Sequence, residues 1–260
     1  MQCIDSHNHL HFDEFDPDRT QVLSRAQDAG VCGMLLVGID PEDSGRAVDM
    51  ARMHVNQWAT VGIHPQMAGT YTRDDVMALD ALAHDPKVVG VGETGFDLYR
   101  TPKSVDLQKV MFEAHIDLAF RRSMPLVIHD RDAHEQTMRT LDECRGWDVG
   151  GVFHCFSGDL TMALRVVDKG FFISIPGVVT FKNAQRLRDA LEAVPLERLL
   201  VETDCPYLAP VPFRGKRNEP AYMVHTLNMM AEIKGVSPEE MASITTQNFS
   251  GLFGPGLEDE

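Results

Sequence analysis

His7 and His9 stand two residues apart at the end of a short apolar opening, MQCIDSHNHL. Side chains alternate faces along a strand, so Asp5, His7 and His9 point the same way and two imidazoles lie side by side. That spacing suits a metal ion, although a lone histidine pair is also common by chance. Further nitrogen and oxygen donors follow other short apolar runs: Glu93 ends VVGVGE, His129 ends LVIH, His154 ends GVFH, and Asp204 follows LLVET. Buried imidazoles and carboxylates are costly unless paired or bound to metal, which favours a metal site over a buried polar network. Four histidines and two carboxylates exceed the needs of one tetrahedral ion; two divalent ions about 3.5–4 Å apart with one shared carboxylate use all six. Glu93 is the expected bridge. His7, His9 and Asp204 then complete one ion, and His129 and His154 the other. Such a centre hydrolyses, with a hydroxide from bound water as nucleophile and the ions stabilising charge on the attacked oxygen. Asp204 has a second available role, orienting or deprotonating that water.

These donors meet only if the strand ends meet. Eight short Val-, Ile- and Leu-rich runs are expected as strands, near residues 3–6, 33–38, 58–62, 88–93, 126–129, 151–154, 171–174 and 199–203. Helix-length sequence separates them, including stretches near 41–54, 72–84, 132–144, 159–169 and 182–193. The clearest helix carries Leu107, Val110, Met111, Ala114 and Leu118 as its apolar stripe. The strands lack the alternation of a half-exposed sheet, so both faces are expected to be covered. The fold class is therefore α/β, a (β/α)8 TIM barrel with extra C-terminal helices, spanning residues 1–260 as one domain. Ser237, Pro238 and the two glutamates after them signal one of those late helices. In such a barrel the C-terminal strand ends share one rim, where active sites lie.

Composition narrows the partners. The chain has 260 residues, 43% hydrophobic and 24% charged, as expected of a globular enzyme. A formal net charge of -15 opposes coating of a nucleic-acid duplex and leaves a nuclease with local basic groups or metal ions possible. Five cysteines without CxxC spacing suggest free thiols in a reducing compartment, and no apolar stretch approaches eighteen residues. Cytoplasmic location, no membrane association, no obligate protein partner and a monomer are the expectations. Cys155 and Cys205 each follow a proposed ligand by one residue, so they are expected to face away as buried thiols rather than act as nucleophiles.

Several positions bear on the substrate. His64, in VGIHP, ends on the same rim and suits metal binding, support of a ligand, or phosphate contact. Arg214, Lys216 and Arg217 form a basic cluster after the eighth strand, and Arg100 and Arg131 each follow a proposed ligand. Basic groups beside a metal site in so acidic a chain suggest a phosphate-bearing substrate, against the plainer reading of a solvated loop. Phe213, Tyr99 and Phe156 are candidates to stack on a base or to pack in the core.

The motifs DSHNHL (5–10), GIHP (62–65), GETGFD (92–97), PLVIHDRDA (125–133), HCFSG (154–158), ETDCPYLAP and RGKRNEP (202–220) resemble the TatD family of metal-dependent deoxyribonucleases, within the amidohydrolase-like barrels. The resemblance covers nearly the whole chain. It implies the ligand set His7, His9, Glu93, His129, His154 and Asp204, with hydrolysis of DNA phosphodiesters from the 3' end of single strands. It also implies a setting in DNA repair, oxidative-damage processing or DNA breakdown, and magnesium in turnover; the histidines by themselves suit Zn2+, Mn2+ or Ni2+. The chain departs from the family pattern at Gln66, where a second histidine is frequent, and within the run Phe96, Asp97, Leu98 and Tyr99, where GLDYY-like sequence is frequent. Those positions are expected in the substrate channel. Rival readings are a dinuclear hydrolase of a small phosphoester, ester or amide, a mononuclear deaminase, and a non-enzymatic metal or nucleic-acid binding module.

Overall fold

The computed structural model describes residues 2–257. Eight parallel strands pair in chain order: β1 (Cys3–Asn8), β2 (Val31–Val37), β3 (Gln57–Val61), β4 (Val88–Asp97), β5 (Leu126–Arg131), β6 (Gly151–Phe153), β7 (Phe172–Ile175) and β8 (Leu199–Val201). The chain just past β8 returns to β1, where Asp204 N–H donates to His7 O at 2.9 Å and His9 N–H donates to Cys205 O at 2.9 Å. Asp5 reinforces this seam by accepting the Thr203 N–H at 2.9 Å and the Thr203 hydroxyl at 2.5 Å. The result is a (β/α)8 barrel whose closure places Asp204 beside His7 and His9.

Helices α1 (Arg19–Asp28), α2 (Pro41–Arg52), α3 (Arg73–Ala78), α4 (Val105–Arg122), α5 (His134–Glu143), α6 (Leu160–Asp168), α7 (Gln185–Ala193) and α8 (Met223–Lys234) follow successive strands. Of the two late helices, α8 completes the eighth unit and α9 (Pro238–Phe253) is the addition. The helix α9 starts where expected, with the Ser237 hydroxyl accepting the Glu240 N–H. Its Phe249 and Phe253 join Ile4, Leu35, Trp58, Val89, Val127 and Leu200 in a small core at the N-terminal end of the barrel. The larger core lies between strands and helices. Burying each of these large apolar side chains stabilises the fold by roughly 1.5–3 kcal/mol, which keeps the opposite, donor-bearing rim on a rigid base.

Three elements differ from the sequence expectation. The strand β4 continues four residues past Glu93, because an irregularity between Val91 and Thr94 lets it re-pair with β5 as far as Asp97 opposite Arg131. Gly92 permits that irregularity: its φ is +145°, and a Cβ there would lie 2.4 Å from Val127 O. The expected helix over 72–84 stops at Ala78, and Arg122 binds the Asp80 carboxylate at 2.6 and 2.7 Å in the turn that follows. In α4 the inward face is rotated, leaving Leu107 and Val110 exposed. Gln108 and His115 take the core side instead, since Gln108 pairs with Asp97 through both its N–H and carbonyl, and His115 accepts the Ile63 N–H at 2.9 Å. Among the described residues no helix is long and apolar enough to cross a membrane.

Candidate metal centre

Glu93 projects from the β4 irregularity into a ring of imidazoles. Its Oε2 lies 3.4 Å from His7 Nε2 and 3.8 Å from His9 Nε2. Its Oε1 faces the other side, 2.7 Å from His129 Nδ1, 2.8 Å from His154 Nε2 and 3.3 Å from His64 Nε2. Asp204 Oδ1 completes the first side at 3.8 Å from His7 and 3.6 Å from His9. The donor atoms of His7, His9 and Asp204 form one compact group, and those of His64, Glu93 and His129 another, each within 4.8 Å. All six donors read from the sequence, together with His64, are thus gathered at one rim, with one carboxylate oxygen directed to each side.

The donor set fits divalent cations. His7 is fully buried, yet neither ring nitrogen has a hydrogen-bond partner among the described residues. Its ring stacks on that of His154, with centroids 3.8 Å apart. Unpartnered buried nitrogens are costly, and a bound cation removes that cost. Tautomers are set from behind: His9 Nδ1–H donates to Val37 O at 2.8 Å, which leaves Nε2 bare toward Glu93 and Asp204. Burial pushes the Glu93 carboxyl up, but His154, His64 and His129 outweigh it and hold the group well below the usual range. Burial likewise opposes ionisation of Asp204, and His9, His7 and His154 overcome it. Both carboxylates are therefore anionic at neutral pH, the state a metal ligand requires.

Two carboxylates behind the ring did not emerge from strand-end spacing. Asp97 Oδ2 lies 3.4 Å from His129 Nε2 and accepts the Gln66 amide at 2.8 Å, while Asp97 Oδ1 accepts the Arg100 N–H at 2.7 Å. Glu202 Oε1 lies 3.7 Å from His154 Nδ1 and accepts the Cys155 N–H at 2.6 Å. His7, His154 and Glu202 form a third compact group of donors. Both carboxylates sit where they orient a histidine through its outward nitrogen. Their sequence signals are the glutamate of ETD and the aspartate of GFD, which lie beside Asp204 and beyond Glu93 and so are masked by stronger candidates. Asp5, expected to face the site, instead holds Thr203.

The substrate candidates divide. Arg131 lies 4.4 Å and Arg100 5.6 Å from the centroid of the exposed Tyr99 ring. Arg214 lies over Phe181, and Lys216 near Phe213. Arg217 is engaged within the fold, donating to both Asp18 oxygens and to Glu14 O and lying over Phe15. Phe156 is buried in the core, and Phe213 stacks on Tyr222 at 3.9 Å. Phe96 is not in a channel: it is buried in contact with Phe112. Burial drives the Cys155 and Cys205 thiols well above their ordinary pKa, so both are protonated and poor nucleophiles.

A (β/α)8 barrel carrying this histidine and carboxylate cluster at its strand ends defines a metal-dependent hydrolase. Residues 4–254 match the TatD related DNase family, and the chain belongs to that family. It is 42% identical over 257 residues to the uncharacterized metal-dependent hydrolase YcfH of Escherichia coli (strain K12), covering 97% of this chain and 96% of that protein. It is 37% identical over 245 residues to the 3'-5' ssDNA/RNA exonuclease TatD of Salmonella typhimurium, covering 92% and 94%. The crystal structure of YJJV, a TatD homolog from Escherichia coli, superposes with a TM-score of 0.91 at 30% identity, covering 97% of this chain and 98% of that one.

Proposed function

We propose that this hydrolase cleaves DNA phosphodiester bonds, removing nucleotides from the 3' end of single strands at a centre of two divalent ions. The observation that carries the reading is Glu93, whose two oxygens face separate donor groups. In this reading His7, His9 and Asp204 hold one ion, His129 and His154 the other, and Glu93 joins them. His64 Nε2 stands with the second group, placed to ligate or to donate to a phosphate oxygen. Such a centre supplies water activation and neutralisation of phosphate charge. Asp204 accepts the proton from the attacking water at Oδ2, since Oδ1 is the oxygen that faces His7 and His9. Arg100, Arg131, Arg214 and Lys216 are the basic residues assigned to the substrate side, whereas Arg217 is tied to Asp18 within the fold.

The named activity of the Salmonella relative supports a nucleic-acid substrate. The donor chemistry is compatible with Mg2+ in turnover and with Zn2+, Mn2+ or Ni2+. The same reading takes the protein as a cytoplasmic monomer engaged in repair or breakdown of DNA. Digestion of end-labelled single-stranded oligonucleotides with added Mg2+ or Mn2+ tests it. Shortening from the 3' end, abolished by Glu93→Ala, is expected. Hydrolysis of small esters without DNA degradation contradicts it.

A further inference from the structure

We propose that Tyr99, Arg100 and Arg131 form a platform that holds a second nucleotide of the single strand, its base stacked on Tyr99 and its phosphates against the guanidinium groups. The proposal rests on the nuclease reading and assigns the path of the strand away from the metal centre. Arg131 ends β5 two residues past His129, and Tyr99 follows Asp97, which pairs with Arg131 across the β4–β5 seam. The platform therefore lies on the rim immediately outside the His129 side of the cluster.

Charge commitment separates these arginines from most of the others, although Arg121 and Arg214 are likewise without an ion pair among the described residues. Arg25 holds Glu219, Arg52 holds Asp85, Arg122 holds Asp80 and Arg217 holds Asp18. The Arg100 and Arg131 guanidinium groups make no hydrogen bond or ion pair among the described residues and lie instead beside the Tyr99 ring. In a chain of net charge -15, unpaired cations beside a metal cluster are the groups able to draw in a polyanion. Tyr99 is 58% exposed, so its ring is accessible to a base.

The loop is also held in place from below. Asp97 accepts the Arg100 N–H, Thr101 Oγ1 donates to Asp97 O at 3.0 Å, and the buried Gln108 amide donates to Thr101 O at 2.9 Å. A pre-organised aromatic ring with adjacent guanidinium groups is a stacking and phosphate site for single strands. The basic cluster after β8 is less suited, because Phe213 is already stacked and Arg217 is engaged.

The test is steady-state digestion of a labelled single-stranded oligodeoxynucleotide by the full chain, with Mg2+ or Mn2+ and over a series of NaCl concentrations. Tyr99→Ala is expected to raise KM about 10-fold while changing kcat little, and Tyr99→Phe to restore KM. Arg131→Gln is expected to lower kcat/KM and to flatten its logarithmic salt dependence by about 0.7, the contribution of one phosphate contact to a single strand. Arg131→Lys keeps that slope. Unchanged KM in Tyr99→Ala with an unchanged salt slope in Arg131→Gln overturns the platform while DNA digestion stands. A parent protein that digests no DNA overturns the nuclease reading itself.

Discussion

Replacing Asp97 by asparagine keeps the size of the side chain and removes its charge from behind His129. The carboxylate lies 3.4 Å from His129 Nε2 and is held by the Gln66 amide and the Arg100 N–H. Burial opposes its ionisation, but His129, Arg100 and Gln66 keep it well below the usual carboxylate range, so it is charged at neutral pH. At 3.4 Å and an effective dielectric constant of about 20, two unit charges interact by roughly 5 kcal/mol. A neutral imidazole N–H carries only a fraction of a charge, which brings the effect to about 1.4–2.7 kcal/mol, or 10–100-fold in metal affinity. Titration of Asp97→Asn with Zn2+ or Mn2+ by calorimetry should show that loss in the equivalent held on the His129 side and little change in the other. Wild-type affinity for both equivalents would refute the assignment of Asp97 as the group that orients His129.

Other outcomes follow from the same contacts. Burial lowers the His115 pKa from 6.5 to about 4, while Nδ1–H donates to Met111 O. The unfolded chain binds this proton below 6.5 and the folded chain only near 4, so stability is held above pH 6.5 and falls by about 3 kcal/mol toward pH 4. His115→Gln should flatten that part of the urea-unfolding profile; an unchanged profile contradicts the account. Arg217→Gln removes a half-exposed, bidentate pair with Asp18, and should lower stability by up to about 1 kcal/mol while leaving the salt dependence of DNA digestion unaltered. A flattened salt slope in that variant would return Arg217 to the substrate side.

The barrel was legible because its strands are short apolar runs buried on both faces, each separated by helix-length sequence. Glu93, His129, His154 and Asp204 were legible for the same reason, since a polar residue at the end of such a run is set apart. The extension of β4 was hidden because Gly95 carries no apolar strand signal, whereas Gly92 and Gly95, both at positive φ, lie inside the strand and allow its close approach to β5. The inward face of α4 was hidden by a different conflict. Gln108 and His115 are buried for their hydrogen bonds to Asp97 and Ile63, which displaces Leu107 and Val110 to the surface. Pairings between distant segments, such as Arg217 with Asp18 or Glu202 with His154, have no local signal. Gln66, where the resemblance leads one to expect a histidine, supports Asp97 through its amide.

The central claim is that Glu93 joins two ion sites, each completed by histidines from a different part of the barrel. Metal content per chain, measured after loading and exhaustive dialysis, tests it most directly in the wild-type protein and in a His7→Ala, His9→Ala double variant. Two ions are expected in the first and one in the second, with the double variant still folded on its α9-plugged core. A single ion in the wild type, or two in the double variant, would contradict it.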